Sequence, residues 1–336
     1  MNSLTKPKGF FEISSAKVRP EISILMPIFE QSKYIKDSVL SVLKQNSIVP
    51  EIIISDDASS DDTFEIALNT VKEWLANNEC VHRIWMRKGL RRLWRDHLPF
   101  LVDAASCEIV CQAHGDDMSV PDRARILLDI FCKFPGTSLV ASEALTINED
   151  NETLDEERPL GDEIKVSRID YAHIVECCNP YLIGFSQAWR RDLLAPFKRL
   201  DRKFAAVAHD RILPFRAALV GKVYLIRSQL ILRREHADAA HNLIFDEPET
   251  DGNFGWALSH ISAKHAMRQD LEAYYSLKQI SEQKFSELVH LIQKSIDADV
   301  NLLSETYRTQ TIANRQIAWV DKDTLKELRM KRLTKP

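Results

Sequence analysis

Between Glu21 and Ile147 the chain passes four times from a short apolar run to a segment of helical periodicity, within about 130 residues. This alternation constrains the fold more than any other feature. Ile22-Ser23-Ile24-Leu25-Met26, stopped by Pro27, reads as a buried strand. Tyr34 to Gln45 carries Ile35, Val39, Val42 and Leu43 at helical spacing. Ile52-Ile53-Ile54 is a second strand, and Asp62 is placed to cap a helix over Thr63 to Asn77. Val81 to Met86, Leu93 to Ala105 and Glu108 to Ala113 continue as strand, helix and strand. Pro121 opens a helix through Phe131, at the first-turn position where proline is tolerated, before a strand over Ser138 to Ile147. The pattern predicts an α/β fold: a mostly parallel sheet with helices on both faces, whose ligands bind beyond the C-terminal strand ends. The first 20 residues are polar and read as a flexible arm ahead of an α/β unit over 21–245. From about residue 250 the pattern is helical, through Trp256 to Tyr275, Leu277 to Ile296 and a last stretch reaching Leu333, a C-terminal helical region over 250–336. Residues 149–163 hold eight acidic side chains, whose mutual repulsion predicts a solvated loop over about 148–165.

Composition excludes several functions. The nine glycines include no two separated by one residue and no two five apart, so the dinucleotide G-x-G-x-x-G loop, the P-loop and the G-x-S-x-G elbow are all absent. A net charge of -4 gives no overall attraction to nucleic acid. The six cysteines form no C-x-x-C pair, and the sequence shows no signal-type apolar start, which points to a reducing cytoplasm. The most apolar long segment, Ile212 to Leu232, contains Arg216, Lys222 and Arg227 and does not suit a bilayer. Any membrane contact is expected to be peripheral, on the inner face.

Carboxylates gather where the expected strands end. Asp56 and Asp57 follow the second strand, and Asp116 and Asp117 follow the fourth inside His114-Gly115-Asp116-Asp117. Asp210 stands in Ala208-His209-Asp210-Arg211, ahead of a helix starting near Ile212. One sheet edge could gather the first four into one crevice. Adjacent carboxylates beside a glycine suit a hard cation, Mg²⁺ or Mn²⁺, that bridges phosphates. Asp56 and Asp57 read equally as turn caps, and Asp210 alone as a helix N-cap.

The stretch Ile22-Ser-Ile-Leu-Met-Pro-Ile-Phe-Glu30 resembles the opening strand and nucleotide loop of the inverting family 2 glycosyltransferases of GT-A fold. Ile53-Ile-Ser-Asp-Asp-Ala-Ser-Ser-Asp-Asp-Thr63 is similar to the family segment in which an Asp grips the base or ribose of the donor. Gln112-Ala-His-Gly-Asp-Asp-Met-Ser-Val-Pro-Asp-Arg123 resembles its DxD-type metal motif. Gly184-Phe-Ser-Gln-Ala-Trp-Arg-Arg191 resembles its acceptor segment, His209-Asp210 its catalytic-base pair, and Arg233-Arg-Glu-His236 with Asn242 its closing element. The resemblance covers about residues 21–245 in order. It implies donor contacts from Pro27, Phe29, Glu30, Asp56, Asp57, Arg95 and Asp116, and metal contacts from Asp116, Asp117 and His236. It implies acceptor contacts from Gly184, Trp189 and His209, with Asp210 as the base. The sequence departs from the pattern at His114, which replaces the first Asp of the metal motif, and at Arg87-Lys88-Gly89 with Arg91, Arg92 and Arg95. That basic run reads as a diphosphate contact or as a solvated helix face. Trp189 reads as a sugar-stacking ring or a core residue, and His236 as a ligand or a packing residue.

The implied reaction is metal-dependent, inverting transfer of a sugar from a nucleotide diphosphate-sugar to a hydroxyl of a glycan or lipid-linked glycan, in bacterial surface polysaccharide or lipooligosaccharide synthesis. A sugar-phosphate nucleotidyltransferase is the second reading, and a non-catalytic nucleotide-sugar-binding scaffold the third. The C-terminal helices are open to dimerisation, membrane-surface docking or packing on the catalytic unit.

Overall fold

In the computed structural model, described residues are 7–15, 18–79, 82–93, 96–157, 164–176, 182, 184–197, 208–237 and 252–306, with the backbone alone at 208–211, 252–259 and 302–306. The expected last helical stretch, Arg95 and Asn242 lie outside them. The chain divides into two compact units, residues 1–168, 181–193 and 221–236, and residues 169–180, 194–220 and 237–336.

The first unit is built on a ten-stranded sheet: β1 (Phe11–Ser14), β2 (Ile22–Ile28), β3 (Glu51–Asp56), β4 (Arg83–Arg87), β5 (Ile109–Gln112), β6 (Met118–Ser119), β7 (Thr137–Ile147), β8 (Val166–Ile169), β9 (Ala188–Arg190) and β10 (Lys222–Arg234). The order is β1-β4-β3-β2-β5-β9-β7-β10-β6, with β8 on β10. β4, β3, β2 and β5 run parallel, as the βα alternation predicts, and β7 pairs parallel with β10. β9 enters antiparallel between β5 and β7. Helices α1 (Ile35–Leu43), α2 (Thr63–Asn77), α3 (His97–Ala104) and α4 (Arg123–Lys133) connect these strands. Strands buried on both faces read as near-continuous apolar runs, and Ile24, Ile52, Ile54, Ile84 and Met86 with Val39, Val71 and Leu127 form one core cluster. The α/β class with a mostly parallel centre is therefore as expected.

Two expectations are corrected, and two segments are more finely divided than the sequence pattern shows. Part of the anticipated N-terminal arm is strand β1, antiparallel to β4, with Phe10 buried and stacked on Phe100 at 5.5 Å. Sequence pattern misses it because four residues are too few to show a period. Asp62 occupies the N-cap position of α2 without a capping bond; Asp61 instead accepts the Thr63 amide at 3.1 Å. The acidic segment turns back on β7: Ile147 bridges Thr153, and the Leu154 amide donates to the Thr146 carbonyl at 2.8 Å. Its described acidic side chains, Glu149 to Glu157, are exposed. Finally, Ile212 to Leu232 is no single apolar element, since a helix ends at Val220 and β10 begins at Lys222.

The second unit contains α5 (Tyr171–Val175), α6 (Ala208–Val220), α7 (Gly252–Ser276) and α8 (Glu282–Thr306). Ile212 packs with Ala263 and Ala266, so α6 meets α7 through small residues. Arg216 forks onto Asp270 at 2.6 and 2.9 Å, both side chains buried, and its guanidinium lies 5.0 Å from the centre of the Phe197 ring. Lys264, also buried, reaches Asp299 at 2.6 Å, joining α7 to α8. No described helix is long and apolar enough to cross a membrane.

Two predictions follow from these buried charges. Asp270→Ala strips Arg216 of its carboxylate inside the helical unit and should cost about 3–5 kcal/mol in urea unfolding, whereas the double variant Arg216→Met/Asp270→Leu should recover most of it. In the first unit, burial holds the His97 imidazole down to about 4, its Nε2 lying 2.9 Å from Ser55 Oγ. The unfolded chain takes up this proton near pH 6.5, so stability present above that pH is lost as pH falls from 6.5 towards 4. The stability difference between wild type and His97→Asn should shrink by about 2–3 kcal/mol across that window, measured by denaturation at stepped pH.

Candidate active site

The C-terminal ends of β2, β3, β4 and β5 form one rim, and each loop leaving it is fixed by hydrogen bonds to its neighbours. The β2 loop turns at Glu30, which adopts a left-handed φ of 50°, and the β3 loop at Ala58, with φ of 66°. Such strain in non-glycine residues persists only where surrounding contacts hold it. Asp56, fully buried, accepts from the Ala58 amide at 3.0 Å and the Ser59 amide at 3.1 Å, capping its own turn. Asp57 accepts from the Leu93 amide at 2.6 Å, drawing the β4 loop over the end of β3. Asp61 accepts from the Ser32 amide at 3.1 Å, and the Gln31 amide donates to Thr63 Oγ1 at 2.7 Å, tying the β2 loop to the start of α2. Asp61 settles below the usual carboxylate range: burial pushes it up, but the donors from Thr63 and Ser32 outweigh that.

Two glycines mark where these loops touch. A Cβ on Gly89 would stand 2.5 Å from the Asp56 carbonyl oxygen and 2.7 Å from the Ala58 nitrogen, so only glycine lets the β4 loop lie on the β3 loop. A Cβ on Gly115 would stand 2.2 Å from Gln31 Oε1. Of the basic run, Arg92 stacks 3.6 Å from the centre of the Phe29 ring, Lys88 pairs with Glu65, and Arg87 donates to Ser55 Oγ at 3.2 Å. Arg91 is exposed. Pro27 lies within β2 opposite Ser55.

Beyond β5, ligand atoms of His114, Asp116 and Asp117 lie within 4.8 Å of one another. His236, just past β10, places Nε2 3.2 Å from Asp116 Oδ2. The other oxygen, Asp116 Oδ1, is buried with no hydrogen-bond partner among the described residues. Asp117 accepts the Arg234 amide at 2.9 Å through Oδ1. Burial first, and then the charge of Asp116, raise the Asp117 carboxyl to about 6. Asp116 is held below its ordinary value; burial opposes this, but the His236 hydrogen bond and the two nearby imidazoles prevail. Two adjacent carboxylates, one with an orphaned buried oxygen and two imidazoles beside it, suit a divalent cation.

Arginines that the motifs do not single out build the frame. Arg234, buried, donates to the carbonyls of Asp116 at 3.0 Å, Asn148 at 3.1 Å and Glu149 at 3.1 Å, and lies 5.0 Å from the centre of the Tyr34 ring. Tyr34 in turn stands 4.5 Å from the His236 ring. Arg123, also buried, donates to the carbonyls of Gln112 at 2.8 Å and Phe185 at 2.7 Å, fixing the strand that delivers His114. An arginine two residues beyond Pro121 was visible in sequence, but nothing local distinguished a carbonyl clamp from a solvated side chain.

The expected acceptor residues divide. Trp189 is fully buried within β9, between β5 and β7, so the stacking role is corrected: an enclosed indole presents no face to a sugar. Gly184 opens a buried 3-10 turn, Gly184–Ser186, whose Phe185 meets the His114 ring edge-on at 6.3 Å. His209 and Asp210 lie in the first turn of α6, in the second unit, and their side chains are outside the described residues.

Residues 23–194 match the family described as Glycosyl transferase family 2, about half of the chain. A putative glycosyltransferase, EpsE of Bacillus subtilis, is 30% identical over 104 residues, 31% of this chain and 36% of that protein. The chain therefore spans about a third of the length of this curated relative. Among solved structures, a mannosyltransferase from Pyrobaculum calidifontis, in complex with GDP-Man and Mn²⁺, aligns with a TM-score of 0.52 at 13% identity, covering 94% of this chain and 85% of that one. S. aureus TarS aligns with a TM-score of 0.51 at 12% identity, covering 88% of this chain and 57% of its own. These likenesses bear on the fold alone. The match of residues 23–194 makes the chain a member of glycosyl transferase family 2.

Proposed function

We propose that the protein is a metal-dependent, inverting glycosyltransferase that moves a sugar from a nucleotide diphosphate-sugar to a hydroxyl of a glycan or lipid-linked glycan in bacterial surface-glycan synthesis. The observation that carries the reading is the buried Oδ1 of Asp116, without a hydrogen-bond partner among the described residues, within the His114–Asp116–Asp117 group. Family membership supports transfer from a nucleotide-sugar. The Mn²⁺ and GDP-Man bound by the Pyrobaculum mannosyltransferase support a cation-and-diphosphate site in a protein of the same fold.

The residues have separable tasks in this reading. Phe29, Glu30 and the Asp56–Asp57 turn receive the nucleoside, and Arg95 and its neighbours face the diphosphate. Asp116, Asp117 and His236 would hold a divalent cation, which would stabilise charge on the leaving diphosphate by several kcal/mol. Asp210 takes the proton from the acceptor hydroxyl while that oxygen attacks the anomeric carbon. The bond from that carbon to the diphosphate oxygen breaks as the new bond forms, and the electron pair leaves with the diphosphate. A single displacement inverts the anomeric centre and needs no nucleophile from the protein. The acceptor hydroxyl is a poor nucleophile until it loses its proton, so a positioned carboxylate contributes about 10²- to 10⁴-fold.

Asp210→Asn should therefore lower kcat by about 10²- to 10⁴-fold while donor affinity, measured by calorimetry, stays within a factor of about three. Asp116→Asn should abolish the thermal stabilisation that Mn²⁺ adds to that given by a nucleoside diphosphate, and turnover with it. Unchanged turnover in both variants would overturn the roles given to Asp116 and Asp210, and the same lack of turnover in wild type and both variants would overturn the enzymatic reading. Pyrophosphate-dependent formation of nucleoside triphosphate from the nucleotide-sugar would favour the nucleotidyltransferase.

A further inference from the structure

We infer that His114 is a first-choice ligand of this site, held by Gln112, and that together they bias it toward Mn²⁺ and the later transition metals over Mg²⁺. The inference rests on the metal-dependent reading above and concerns the residue at which this chain departs from an all-carboxylate motif. Three observations carry it. The ligand atoms of His114, Asp116 and Asp117 converge within 4.8 Å, and the His114 side chain is 29% exposed, so it borders the cluster without being locked in the core. One face of its imidazole turns Nδ1 toward Asp117, 3.7 Å from Oδ2, while Nε2 turns away and lies 2.9 Å from Gln112 Nε2. Gln112 is only 6% exposed, and its amide oxygen, Oε1, is buried without a partner among the described residues.

A neutral imidazole carries hydrogen on one nitrogen and a lone pair on the other, and the partner of the outer nitrogen decides which. Gln112 can supply either partner, because a half-turn of its amide exchanges donor for acceptor. With Nε2 of Gln112 donating, His114 carries its hydrogen on Nδ1 and turns an N–H toward Asp117. With Oε1 accepting from Nε2–H, the Nδ1 lone pair faces the carboxylates and is available to a cation. A residue with only a donor or only a methyl group in place of Gln112 could not serve both arrangements. Buried amides and carbonyls that hold a ligating histidine in this way typically raise metal affinity about 10- to 100-fold. Arg123 fixes the Gln112 carbonyl at 2.8 Å, so the amide turns on a stationary backbone.

Exchanging a carboxylate oxygen for an imidazole nitrogen changes which ion is preferred. Mg²⁺ favours oxygen ligands and near-ideal octahedral geometry, whereas affinity for nitrogen-containing sites rises from Mn²⁺ toward the later divalent metals. His236 adds a second imidazole beside Asp116, so a selectivity test must separate the two histidines.

The test is calorimetric titration of the full-length protein with Mn²⁺ alone and Mg²⁺ alone. Wild type should bind Mn²⁺ more than about tenfold more tightly than Mg²⁺, and His114→Asp should narrow that ratio by about tenfold while the fold, read by circular dichroism, is retained. Gln112→Leu should weaken Mn²⁺ binding by about 10- to 100-fold, and Gln112→Glu, which keeps an acceptor, should restore it. In His114→Asp the Gln112→Leu change should have no further effect. Electron spin echo of bound Mn²⁺ in His236→Ala should still show coupling to nitrogen. A ratio unaltered by His114→Asp, or loss of nitrogen coupling in His236→Ala, overturns the inference and leaves the metal-dependent reading intact. A wild type that binds neither ion overturns both.

Discussion

The arrangement of the sheet edge depends on one electrostatic constraint: Asp116 and Asp117 stand side by side where water is largely excluded. Burial first, and then the charge of Asp116, drive the Asp117 carboxyl up to about 6, while burial of Asp116 is outweighed by the His236 hydrogen bond and the two nearby imidazoles, which hold it low. The surroundings compensate in part. The Arg234 amide donates to Asp117, the His236 imidazole meets Asp116, and the Arg234 guanidinium binds the Asp116 carbonyl. One oxygen of Asp116 receives nothing. A turn alone would be more stable with one carboxylate, and the surplus charge suits a ligand that carries positive charge.

Around that pair, the remaining hydrogen bonds go to shaping loops. Asp56, Asp57 and Asp61 all accept backbone amides from residues at the rim. The loops after β2, β3 and β4 are therefore linked into one surface, in which Gln31 abuts Gly115 and Gly89 abuts Asp56. The edge strand β1 contributes from outside the motifs: Phe10 stacks on Phe100, Arg87 lies over the same Phe100 ring, and Arg87 reaches the Asp56 carbonyl at 3.4 Å. Rigidity of this kind positions substrates and is produced by packing remote from them.

The central part of the fold was legible because its strands are buried on both faces, and such strands write themselves as unbroken apolar runs: Ile52-Ile53-Ile54 needs no context. The later strands were not. β10 alternates apolar residues with Lys222, Arg227, Arg233 and Arg234, since part of it faces solvent or the site, and it merges in sequence with the apolar helix before it. β9 has three residues, too few for a period, so its Trp189 reads equally as a sugar-stacking ring or a core residue until the flanking strands enclose it. At the site, the position of the carboxylates followed from strand ends alone. Their individual surroundings did not, because Asp56 and Asp116 are chemically the same residue, and only their neighbours make one cap its own turn and leave the other with a bare buried oxygen. Asp61 rather than Asp62 holding Thr63 is the same lesson at a distance of one residue.

The account stands on a cation seated at Asp116, and anomalous diffraction measures that position most directly. Crystals grown with Mn²⁺ and a nucleoside diphosphate, recorded near the manganese absorption edge, should show one strong peak within bonding distance of the Asp116 carboxylate and a diphosphate oxygen. A bound nucleotide with no such peak, or a peak elsewhere on the sheet edge, would contradict it.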